Sequence, residues 1–257
     1  MSQFCRLRIF SKWLTRNVST ITTTRFGSLQ QRIAQEKDLS KLLTVIVSDL
    51  ETTGLPTVKQ RVVEIAAKDQ AGGENSTFQS LINPGFSISK RRIHGIRNDM
   101  VYRKDVPRME EMIPEFLGYL ESRKKPGGYV MLVAHNGKTF DFKFLINEFS
   151  RCSFEFPHDL LLLDTLPLAR EYIKSLESDV KPKASLSALG DYYNFLREGE
   201  AHRALPDVLL LSKVFPRLTT GLNLSLADLV LRSHTASDLI AAMAKNKKKT
   251  QTKFLEL

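Results

Sequence analysis

The chain has 257 residues, 42% hydrophobic and 26% charged, the composition of one sizeable soluble domain with appendages. No apolar run reaches the roughly 18 residues of a membrane span, and two cysteines as far apart as Cys5 and Cys152 exclude a disulfide framework or a cysteine-based zinc site. The net charge of +10 sits at the ends, with +5 on residues 1–40 and +4 on residues 244–257, so the nearly neutral body identifies no partner by charge alone.

The first 35 residues hold six arginines and lysines, nine serines and threonines, and no acid before Glu36. Phe4, Leu7, Leu14 and Val18 can share one helical face, and Arg8, Lys12 and Arg16 are spaced four apart. A basic, acid-free, amphipathic start of this kind predicts an organellar transit peptide, directing the chain to the mitochondrion or chloroplast; the alternative is a disordered basic arm. Residues 1–40 are therefore set outside the fold.

Regular structure is expected from Lys41. Thr44–Glu51 reads as a strand because β-branched residues dominate it. A turn at Thr53-Gly54-Leu55-Pro56 follows. Strands over 61–67 and 77–82 come next, and their connections are too short for crossovers, so the first three strands are antiparallel. Met109, Met112, Ile113, Phe116, Leu117 and Leu120 give a helix over 108–122. Pro126-Gly127-Gly128 breaks the chain before a buried strand, Tyr129–Ala134. A helix over Phe140–Phe149, a short strand over Leu160–Leu163, and helices over 185–194 and 206–218 complete the body. This order implies an α/β domain over 41–218 with a mixed sheet. Residues 219–257 form a helical extension, with helices near 224–232 and 235–245 and then Lys247-Lys248-Lys249.

Three clusters carry chemistry. Asp49 and Glu51 are two apart on a strand, so both carboxylates point the same way, after Val45 and Val47 on that face. They close the strand at its carboxyl end, where α/β sheets place ligands. Alone, such a pair also fits a solvated strand end. In Ala134-His-Asn-Gly-Lys-Thr-Phe-Asp141 a buried strand runs out and Asp141 enters the first turn of a helix, where the helix dipole favours an acid in any case. In His202-Arg-Ala-Leu-Pro-Asp207, Pro206 marks a first turn, so Asp207 begins a helix and His202 lies on the incoming loop.

Taken together and in order, these clusters resemble the three motifs of the DnaQ-like superfamily, in its DEDDh group. Ile93-His-Gly-Ile96 and Asp164-Thr-Leu-Pro-Leu-Ala-Arg170 resemble two further stretches of that family, and the likeness runs over about residues 43–218. The residue inserted at Lys138 or Thr139 makes the second motif look more like TREX-type exonucleases. The stretch Gly72–Gln79 and the lysine-rich tail look similar to plant organellar exonucleases that degrade DNA.

The resemblance implies an RNase H-like fold, with a five-stranded mixed sheet flanked by helices, and a 3′–5′ DNA exonuclease releasing 5′-mononucleotides. Converging carboxylates repel one another unless a divalent cation intervenes, and oxygen ligands suit Mg²⁺, with Mn²⁺ as a substitute. It implies two ions, one held by Asp49, Glu51 and Asp207, the other by Asp49 and Asp141. His202 would act as general base, a task suited to a side chain that ordinarily titrates near neutrality. Thr52, Gly54, Leu55, His94 and Asn136 would touch the nucleic acid, although turn or loop roles explain Gly54, Leu55 and His94 equally well. A homodimer is a further implication, since TREX-type relatives often pair.

Two other readings stand beside the DNA exonuclease: an exoribonuclease on short RNA, using the same five residues, and a catalytically inactive nucleic-acid-binding scaffold. The scaffold is disfavoured because all five positions hold competent residues. No membrane partner is expected.

Overall fold

The computed structural model describes residues 28–88, 94–178, 180–197, 199 and 202–255. Two short helices lead in, α1 (Leu29–Ala34) and α2 (Leu39–Leu42). Ser28 caps α1: its hydroxyl accepts from the Gln31 N–H, and the Gln31 side chain accepts from the Ser28 N–H. Ile33 is 1% exposed and Leu39 is also buried. Ordered structure therefore starts ahead of Lys41. With only two apolar anchors, these helices are too short to show periodicity behind so basic and Ser/Thr-rich a start. The expected transit peptide falls largely on residues 1–27, outside the described residues.

Five strands follow: β1 (Leu43–Thr52), β2 (Val62–Asp69), β3 (Thr77–Leu81), β4 (Tyr129–Ala134) and β5 (Leu161–Asp164). They lie in the order β3-β2-β1-β4-β5. β1–β2 and β2–β3 are antiparallel, and β1–β4 and β4–β5 are parallel. This is the mixed sheet expected, with its first three strands antiparallel. The parallel pairs need crossovers, supplied by α4 (Met109–Arg123), which follows the short α3 (Asn98–Val101), and by α5 (Asp141–Arg151).

The remaining helices are α6 (Thr165–Ser175), α7 (Leu186–Tyr192), α8 (Ala204–Gly221), α9 (Leu226–Arg232) and α10 (Ala236–Leu255). α10 runs past the expected end near residue 245. The sequence reading leaves out α6. Asp164 caps it, accepting from the Leu166 N–H at 2.9 Å, and Pro167 sits in the first turn, where it costs no helix bond. Without that cap in view, the proline reads as a breaker.

The sheet has a core on each face. Ile46, Leu50, Ile65 and Leu132 pack against Phe116 of α4 and Phe142 and Phe149 of α5. On the other face Val47, Ala66, Met131 and Val133 pack against Val208, Leu211 and Phe215 of α8, and Ile33 of α1 joins them. Side chains alternate along β1, so the Val45–Val47 row continues into Asp49 and Glu51 on the face that α8 covers. At the opposite end of the sheet Arg123 closes the β2–β3 turn. It pairs with Asp69 at 2.8 Å and donates to the carbonyls of Gly72 and Glu74. Gly72 and Gly73, at φ +70° and +87°, give that turn its left-handed backbone. The Gly72–Gln79 stretch thus shapes a hairpin rather than a site. Among the described residues no helix is long and apolar enough to cross a membrane.

Candidate active site

β1 ends in the site. A register shift between Glu51 and Thr52 turns the strand out of the ladder and into the Gly54–Leu55 loop. The Thr52 hydroxyl accepts from the Gly54 N–H at 3.3 Å, and the Thr53 N–H and side chain tie the loop back to Arg61 and Gln60. Farther out, the Thr57 carbonyl accepts from Asn147 and Arg151 of α5. Arg151 and Arg61 also hold Glu148, which is fully buried. The last turns of α5 thus clamp the loop that rims the site, while its first turn carries Asp141.

The expected carboxylates converge. Glu51 and Asp207 are buried, and Asp141 is 2% exposed with Oδ1 lacking any hydrogen-bond partner. Burial, then the charges of Asp141, Glu51 and Asp207, push Asp49 well above the usual carboxylate range. Burial, then Asp207 and Glu64, raise Glu51 to about 9. Burial raises Asp141 to about 7. Asp207 is also raised by burial, with Arg197 opposing, since the Arg197 guanidinium pairs with its Oδ1. Such a cluster favours protons or a cation, the electrostatics of a metal site.

Metal-ligand atoms of Glu51, His202 and Asp207 all lie within 4.8 Å of one another. His202 is exposed on the loop before α8 at φ +59°, and Asp207 sits in the first turn of α8, as the proline spacing implies. Oxygen donors of this kind, one of them orphaned and buried, fit a hard divalent cation.

A cavity of about 320 Å³ opens beside the acids. Asp49, Glu51, His202 and Asp207 line one side, and Thr52, Gly54, Leu55 and His94 also contribute, as the sequence reading expects. Asp141 is not a lining residue; it is buried, close enough for its charge to raise Asp49. His94 is buried, and its Nδ1 accepts from the Ile96 N–H at 3.1 Å while Nε2 makes no hydrogen bond of normal geometry. Burial pushes its pKa down, and with Nδ1 accepting, a neutral ring would carry its hydrogen on Nε2.

The structure does not bring Asn136 to the cavity. At φ +66° it forms the turn after β4, its N–H donating to Asp164 and its Oδ1 accepting from the Thr139 hydroxyl. Its left-handed backbone is the demand met there, and asparagine tolerates it.

Three residues escape the sequence reading. Phe140 precedes α5 and lines the cavity; as a helix-start aromatic it gives no signal. Arg197 lies on a loop without periodicity. Glu64 stands opposite Glu51 in the sheet and is fully buried. An acid inside the apolar run Val62-Val-Glu-Ile-Ala66 is a signal in itself, because a buried charge demands a partner.

Residues 46–215 match the RNase_T family, described as Exonuclease. Exonuclease DPD1, chloroplastic/mitochondrial, of Arabidopsis thaliana is 63% identical over 93% of this chain and 85% of its own length. The DNA polymerase III subunit epsilon of Aquifex aeolicus is 32% identical over 68% of this chain and 80% of its own. Among solved structures, E. coli exonuclease I in complex with a dT13 oligonucleotide superposes with a TM-score of 0.57 at 17% identity, over 70% of this chain and 42% of that one. Cell-death related nuclease 4 does so with a TM-score of 0.56 at 15% identity, over 69% of this chain and 64% of that one. The two structures share the fold. The family match takes in Asp49, Glu51, Asp141, His202 and Asp207, and together with these relatives it shows that the chain belongs to the exonuclease family, as a DnaQ-like 3′–5′ exonuclease.

Proposed function

We propose that this exonuclease hydrolyses DNA from the 3′ end to 5′-mononucleotides, with Asp49, Glu51, Asp141, Asp207 and His202 as its catalytic residues and two Mg²⁺ ions as its cofactors. The observation that carries the reading is the crowd of carboxylates with raised pKa values, Asp49, Glu51 and Asp207 lining one cavity beside an exposed histidine and Asp141 buried nearby. Asp49, Glu51 and Asp207 would hold one ion, and Asp49 and Asp141 the other. When bound, such ions offset the carboxylate charge and stabilise the charge that develops on the phosphoryl oxygens.

The chain's own groups do the rest. His202 takes the proton of the attacking water, whose oxygen bonds to phosphorus as the P–O3′ bond breaks and its electron pair leaves with O3′. The Gly54 backbone leaves room for the terminal nucleotide. Leu55, 59% exposed, and Phe140 offer its base an apolar surface from two elements. His94 lines the cavity where the sugar or phosphate would lie.

DNA is favoured by the names of the relatives, a DNA polymerase subunit and a structure holding dT13. The plastid and mitochondrion are favoured by the name of the Arabidopsis relative and by the basic, acid-free start of this chain. The test is a gel assay on matched DNA and RNA oligonucleotides labelled at the 5′ end, with chromatography of the products. The expected result is a ladder on DNA in Mg²⁺, abolished by EDTA, with 5′-mononucleotides released. A ladder on RNA alone would keep the site and overturn the substrate.

A further inference from the structure

Glu64 lies on β2, one sheet register across from Glu51, and its carboxylate is fully buried. It accepts four hydrogen bonds, two of them from the Arg203 guanidinium, Nε at 3.0 Å and Nη2 at 2.7 Å. The others come from the backbone N–H of Ala204 at 3.0 Å and from Gln79 Nε2 at 3.0 Å. A buried carboxylate this well paired costs much less than an orphaned one, and its bidentate fork fixes the direction of the arginine. The partners matter more than the pairing itself. Arg203 is the N-cap of α8 and Ala204 its first residue, and the Arg203 carbonyl accepts from the Asp207 N–H at 3.2 Å. Glu64 therefore grips the start of the helix that bears Asp207, from the strand that pairs with the one bearing Asp49 and Glu51. The residue immediately before this grip is His202, whose φ of +59° is unfavourable for a side chain other than glycine and persists only where neighbours hold it. His202 itself is exposed.

We propose that Glu64 and Arg203 are a positioning pair for His202: the ion pair between β2 and the start of α8 sets the distance between the strand-borne acids and the histidine on the loop that leads into that helix. This rests on the reading of His202 as general base given above. Misplacing a catalytic group by about 1 Å can cost on the order of 100-fold in rate, whereas binding of the DNA strand uses other contacts. Loss of the pair should therefore lower kcat and leave KM nearly unchanged.

The test is a double-mutant cycle on the full chain with Mg²⁺ and a DNA oligonucleotide, joining Glu64→Gln and His202→Ala, with a thermal melt of each variant. Glu64→Gln keeps the size and one acceptor but loses the fork. It is expected to lower kcat by about 10- to 100-fold with KM within about 3-fold. In the His202→Ala background the same change should cost less than about 3-fold, because the group it positions is gone. A full loss repeated in that background would overturn the proposal, since Glu64 would then act on Asp207, on Glu51 or on the fold at large; so would an unchanged kcat in Glu64→Gln alone. If Glu64→Gln melts below the assay temperature, Arg203→Lys replaces it, keeping the charge and losing the fork. Full activity of His202→Ala by itself would instead sink the general-base reading, and the two failures are distinct.

Discussion

Burial, then the nearby charges of Asp141, Glu51 and Asp207, raises the affinity of Asp49 for a proton. Burial and then Asp207 raise Glu51 to about 9, and burial raises Asp141 to about 7. A carboxyl that binds its proton more tightly in the folded chain favours that state while it stays protonated. The contribution is lost as pH rises from the unfolded value, about 4, through the folded one. In EDTA the protein should therefore melt at a lower temperature at about pH 9 than at about pH 7. The histidines with resolved shifts are all lowered, so they do not titrate in that window. Asp49→Asn should flatten the slope and raise the metal-free melting temperature while abolishing cleavage, since the site holds repulsion that only a cation offsets. Calorimetry at the two pH values checks this; a melting temperature independent of pH in EDTA would contradict it. At this scale the five catalytic candidates were readable from sequence because three ordered motifs, each weak alone, together resemble a known family. Glu64 and Arg197 were not, because their meaning lies in partners far along the chain.

At the scale of elements, two helix starts and one strand end make the site. The turn between β4 and α5 is the tightest of these joints. A Cβ on Gly137 would stand 2.7 Å from the Phe142 ring and 2.9 Å from the Ala134 Cβ, both core atoms with little room to yield. Gly137→Ala should destabilise the chain by about 1–3 kcal/mol through overpacking. It should also lower the exonuclease rate, because Phe142 neighbours Asp141 and the ring's shift moves the acid. Urea unfolding and a cleavage rate on the same sample check both; a stability within about 0.5 kcal/mol of wild type would show that the turn relaxes without cost. The strands and long helices were predictable wherever period and β-branching agreed, as in Tyr129–Ala134 and Met109–Arg123. α6 was not, because its start depends on Asp164 capping ahead of a proline. α1 and α2 were not, because each buries a single side chain.

Across the whole molecule, the sheet divides the labour. One face is a closed apolar core under α4 and α5, and the other lets a row of valines end in acids beneath α8. The acids are therefore held by regular elements, β1, α5 and α8, whereas His202 and Arg197 reach Asp207 from loops. That asymmetry suits a group that must meet water and substrate while the carboxylates stay fixed. The most direct test is the single-turnover cleavage rate of a 5′-labelled DNA oligonucleotide in Mg²⁺, for wild type, His202→Ala and Asp207→Ala, each shown to be folded by its melt. The expected result is a loss of about 100- to 10,000-fold for His202→Ala, as removal of a general base gives, and a loss at least as large for Asp207→Ala. Wild-type rates in either folded variant would contradict the assignment of the site.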